Sequence, residues 1–116
     1  MQNKKRYDLG ERTLFFAKRI IGYVNNLPKG LSNIEVGKQL VGSAGSVGSN
    51  YLEAEDTLSK KDFIMRMKIS RKESKESCYW SRLSEPKANQ LKEKETLIKE
   101  STEIMKIFGA IVQKSR

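Results

Sequence analysis

No histidine occurs in these 116 residues, and there are only one cysteine, one tryptophan and two prolines. Without histidine the chain lacks the usual general base and the commonest transition-metal ligand. The lone Cys78 excludes an intramolecular disulfide and suits a reducing compartment. With prolines only at 28 and 86, long uninterrupted helices are free to form. No segment has the length of apolar run that crosses a membrane. The opening MQNKKRYDLGER is basic without the apolar stretch of a signal peptide. The expectation is a cytoplasmic protein with no membrane association.

Cations are plentiful. Twenty-three Lys and Arg against fourteen Asp and Glu give a net charge of +9 and a pI near 9.7, which favours polyanionic partners, nucleic acid first among them. The alternative is a solubilising surface charge. The excess is uneven: residues 31–58 hold one cation against four carboxylates, whereas 59–84 hold eight against three.

The chain reads as one domain, 1–116, built from four helices at about 8–27, 33–57, 60–84 and 89–115. Asp8 with Glu11 three residues later resembles a capping box. Leu14, Phe16, Ala17, Ile20, Ile21, Val24 and Leu27 then recur at helical spacing until Pro28 and Gly30. The Ser32–Asn33 pair is a candidate cap for the second helix. That helix contains GSAGSVGSN, residues 42–50, whose glycines fit neither a P-loop nor a dinucleotide fingerprint. Leu40, Ala44, Val47, Tyr51 and Ala54 carry a helical stripe through it, so its small residues are expected to admit a close neighbour. Ser59 and Asp62 cap the third helix, and Glu85–Pro86 stops it. Leu97, Ser101, Ile104, Phe108 and Ile111 mark the inner face of the fourth. Amphipathic segments joined by short connections predict an all-α, antiparallel up-down-up-down four-helix bundle.

Candidate chemistry concentrates in the third helix. Ile69, Glu73, Glu76, Trp80 and Leu83 follow steps of four, three, four and three, which places two carboxylates on an apolar stripe. Glu73 and Glu76, with Ser49, Asn50 and Glu53 of the second helix, are expected to form a buried polar structural cluster. Glu73-x-x-Glu76 falls short of the Glu-x-x-His pair of di-iron bundles, so no metal site and no cofactor are expected. The missing G-x-S-x-G elbow and histidine base argue against nucleophilic catalysis. Lys61, Lys68, Arg71, Lys72 and Lys75 recur at mostly helical steps and form a candidate phosphate-binding stripe. A solvated face is the competing interpretation.

Over nearly its whole length the chain resembles the four helix bundle proteins, also called the 23S rRNA intervening-sequence protein family. The resemblance rests on YDLGERT at 7–13, SVGSNYLEAED at 46–56, SKKDFIMRMKISRKESKES at 59–77, YWSRL at 79–83 and IFGAIVQK at 107–114. It implies an antiparallel four-helix fold, a ring-like homopentamer and no established enzymatic activity. Some members are encoded within intervening sequences of large-subunit ribosomal RNA genes. A related accessory protein of diversity-generating retroelements is basic and acts with a reverse transcriptase and nucleic acid. Glycine at 42, 45 and 48 departs from many relatives.

Residues and resemblance together predict a non-enzymatic homo-oligomer that binds RNA, DNA or a ribonucleoprotein through basic faces. A structural scaffold for a protein partner is the alternative, and a carboxylate-dependent hydrolase a distant third.

Overall fold

The computed structural model describes residues 8–116 as four α-helices, α1 (Leu9–Asn25), α2 (Leu31–Ala54), α3 (Lys60–Leu83) and α4 (Leu91–Ser115). A single 3-10 turn, Ala88–Gln90, leads into α4, and no strand occurs among the described residues. Lys4, Lys5 and Arg6 lie outside those residues.

Two helices, α1 and α3, begin on side-chain caps. The Asp8 carboxylate accepts from the backbone N–H groups of Gly10 and Glu11, at 2.9 and 3.4 Å. Ser59 Oγ accepts from Asp62 N at 3.1 Å. Both bonds satisfy orphan donors of a first turn. The second helix departs from expectation: it starts at Leu31 on an extended Gly30, with no side-chain cap, and ends at Ala54 rather than near 57. Asn33 is taken up elsewhere. Its amide donates to the carbonyls of Pro28 and Glu85, and its Oδ1 accepts from Glu85 N, all at 2.9 Å. One side chain thus ties the α1–α2 turn to the end of α3.

Cross-helix contacts fix the topology. Thr13 of α1 faces Gly48 of α2, and Val24 faces Gly37, so the two helices run in opposite directions. Arg66 reaches Asn50, whereas Ser77 meets Ser43, which makes α3 antiparallel to α2. Arg71 lies against Gly109, and Lys94 donates to the carbonyls of Arg82 and Ser84, so α4 antiparallels α3. Arg12 and Arg19 grip Glu100 and Glu93 in two-pronged ion pairs that close α1 onto α4. The result is the expected up-down-up-down four-helix bundle, elongated at 44 × 33 × 20 Å.

The core holds Phe16, Ile20, Leu40, Val47, Leu97, Ile104 and Phe108. The third helix adds little to it that is apolar. Met67 is its only fully buried hydrophobe, and Ser70, Ser74, Ser77 and Ser81 are wholly buried beside it. Ser70 donates to the Val47 carbonyl at 2.9 Å, and the Ser43 and Ser77 hydroxyls meet at 2.9 Å. Ser74 and Ser77 also return a bond to their own helix, so these hydroxyls are buried at little cost, whereas Ser81 Oγ is buried without a partner among the described residues.

Two tyrosines give the fold an alkaline limit. Burial raises the Tyr23 phenol above its usual 10.0; a hydrogen bond to Ser84 opposes the rise and the Glu93 charge adds to it. Burial also raises Tyr51, followed by the charges of Glu55 and Asp8. A phenol whose pKa is higher in the folded state ionises first in the unfolded chain. Its stabilisation is therefore complete below pH about 10 and drains away as pH rises towards the folded value. Thermal melts from pH 8 to 11 should show stability falling above about pH 10, with a shallower fall in Tyr23→Phe. An unchanged slope in that variant would remove the assignment.

Candidate nucleic-acid interface

The long third helix separates its charges by flank. Ser70, Ser74, Ser77 and Ser81 define its inward face. Rotating from them at 100° per residue, Lys61, Lys68, Arg71, Lys75 and Arg82 fall on the side that adjoins α4, where Arg71 touches Gly109. Glu73 and Trp80 fall on the side of Arg66, which reaches α2, Glu76 lies further out on that same side, and Lys72 and Tyr79 point most directly outward. Lys61, Lys68, Arg71 and Lys75 are all exposed, and none forms an ion pair among the described residues. Lys72 is different. Its Nζ lies 3.8 Å from both Glu73 and Glu76, so its charge is shared with two carboxylates.

The unpaired flank runs from Lys61 to Arg82, about 32 Å at 1.5 Å per residue. Arg71 passes beside α4 at Gly109, where an added Cβ would stand 3.6 Å from Arg71 Nε, an ordinary contact distance. Cys78 Sγ meets Thr102 Oγ1 at 3.7 Å across the same groove. Exposed Lys99 is one turn before Thr102 and exposed Lys106 one turn after it, which adds cations from α4. Tyr79 stands among them, 58% exposed.

The predicted buried carboxylate cluster is not assembled. Ser49 and Glu53 are exposed, Glu76 is 44% exposed in its side chain, and Glu73 is partly buried at 17%. Asn50 is buried and accepts from Arg66 at 2.7 Å while donating to Ser46. The stripe 69-73-76-80-83 has the right period but the wrong register. The buried seam, 70-74-77-81-84, lies one residue later, a rotation of 100°. Serine carried the signal, at the same steps of four and three, but counts as polar in any apolar pattern. Among the described residues no group of three or more His, Cys, Asp or Glu is placed to hold a metal. No described helix is long and apolar enough to cross a membrane.

A consequence is that Glu76→Ala should change stability by no more than about 0.5 kcal/mol, as for an exposed pair of this length. Chemical denaturation checks this. A loss of about 2 kcal/mol or more would restore the buried cluster.

A four-helix bundle with one cationic helix flank is the class that the fold and surface define. The chain belongs to the 23S rRNA-intervening sequence protein family, whose model matches residues 5–110. A crystal structure of a protein of unknown function from the S23 ribosomal protein family of Bacteroides thetaiotaomicron is similar, with a TM-score of 0.73 and 31% identity. The alignment covers 90% of this chain and 98% of that one. No match was found among curated proteins.

Proposed function

We propose that the chain is a non-enzymatic nucleic-acid-binding protein that works as a homo-oligomer in the cytoplasm. The observation that carries this reading is the sorting of charge on α3, with an unpaired cation row on one flank and carboxylates off it. A merely solubilising surface would interleave the signs, as Glu95, Lys99, Glu103 and Lys106 do on α4. A row of cations that forms no ion pairs neutralises phosphates and releases their counterions. Such contacts position a backbone without reading bases, so weak sequence preference is expected. The test is an anisotropy titration with RNA and DNA oligonucleotides between 50 and 200 mM salt. Absence of salt-sensitive binding would refute the reading.

Self-association is supported by the opposite side of the bundle. Leu14, Phe15 and Ile21 of α1 and Ile34, Val41 and Leu52 of α2 are exposed, with Phe15 at 61%. A groove of about 510 Å³ runs between these helices, lined by Val24, Leu27, Ile34, Val41 and Gly42 among others. Exposed apolar area of this kind ordinarily meets a partner. The α2 glycines divide accordingly. A Cβ at Gly48 would stand 3.0 Å from Thr13 Oγ1, and one at Gly37 2.8 Å from Val24. Gly42 and Gly45 meet nothing within 4 Å. Within one subunit they cost about 0.8–1.0 kcal/mol each relative to alanine and gain no packing. Sedimentation should therefore report an assembly larger than the 13.3 kDa chain. Phe15→Glu with Val41→Glu should shift it to monomer without loss of helicity. A wild-type monomer across the micromolar range would end this part of the proposal.

A further inference from the structure

We infer that Tyr79 is a stacking platform for an unpaired base, so that the basic groove takes single-stranded rather than duplex nucleic acid. This rests on the nucleic-acid reading above and names its substrate class. Tyr79 lies on the outward side of α3, flanked on the helix surface by Lys75 four residues before and Arg82 three residues after. Its ring is held by the edge-to-face contact with Trp80, centroids 5.1 Å apart at 74°. Trp80 in turn packs against the core. An aromatic ring that is 58% exposed and braced by a neighbouring ring is preorganised to receive a flat partner. The nearby cations fit the phosphates on either side of a splayed base. This combination of a cationic groove with a stacking side chain is how single strands are held without sequence readout. A duplex keeps its bases stacked and paired, and has none to offer the ring.

Stacking is indifferent to the sugar, so oligouridylate and oligothymidylate of about 12 nucleotides should both bind. The chain's only tryptophan touches Tyr79 edge to face, so single-strand binding should change Trp80 emission. A duplex of equal length should bind more weakly and leave the emission almost unaltered. Tyr79→Ala should lower single-strand affinity roughly tenfold while sparing duplex binding, and Tyr79→Phe should retain wild-type affinity. Equal loss for single strand and duplex, or no loss for either, would overturn the stacking role and leave the basic groove standing. A change of sedimentation in Tyr79→Ala would place the ring in a subunit contact and also overturn it. No binding to any strand by the wild-type protein would refute both this inference and the reading beneath it.

Discussion

Reversing the charge of Lys68, Arg71, Lys72 and Lys75 together is expected to weaken nucleic-acid binding about a hundredfold or more at moderate salt. Three of the four are exposed cations without an ion pair among the described residues, so their field is available to a polyanion. If four phosphates are neutralised on a single strand, log K should fall with log[salt] at a slope of about −3, and the slope should flatten in the variant. Lys72 complicates the comparison, because a carboxylate there would sit beside Glu73 and Glu76 and destabilise the helix surface by a few tenths of a kcal/mol. A triple reversal that spares Lys72 separates the effects. It should lose nearly as much affinity as the quadruple variant, with helicity unchanged. If either variant bound as tightly as wild type, the row would be an ordinary solvated face.

What could be read from the residues depended on whether their signal was apolar. The helices of the bundle are legible because Phe16, Ile20, Leu40, Val47, Ile104 and Phe108 recur at helical spacing, and because Asp8 and Ser59 sit where caps belong. The start of α2 is not legible locally, because Ser32 and Asn33 look like a cap although the helix starts at Leu31. Asn33 instead binds Glu85, 52 residues away, a partner that no local pattern reveals. The cation spacing on α3 is legible, and so is the difference of Lys72, because Glu73 follows it directly and Glu76 stands one helical turn on. The glycines show the same divide. Gly37 and Gly48 are needed where α1 crosses α2, whereas a Cβ at Gly42 or Gly45 would meet nothing within 4 Å, although all four look alike in sequence.

The serine seam gives the second large effect, and its sign runs against hydrophobic intuition. Ser74 is fully buried and its hydroxyl donates to the Ser70 carbonyl at 2.8 Å, so it needs no partner from another helix. Leucine there would add apolar volume to a helix that contributes only Met67 to the fully buried core. A pattern-based view therefore expects Ser74→Leu to stabilise. The geometry predicts the reverse. With serines at every inward position from Ser70 to Ser81, α3 lies close to its neighbours, and a leucine must displace backbone rather than fill a void. The expected loss is about 1–3 kcal/mol, or a melting temperature lower by roughly 5–15 °C. Ser74→Ala keeps the volume small and forfeits only a bond to a carbonyl of its own helix, so it should lie within about 1 kcal/mol of wild type. Ser77→Ala is a second control, since Ser43 still donates to the Leu40 carbonyl once its partner is gone. The seam also bears on binding, because it sets how α3 is rotated and hence which flank carries Lys68, Arg71 and Lys75. A Ser74→Leu protein at or above wild-type stability would mean that the seam is loosely packed, and the register assigned to α3 would fall with it.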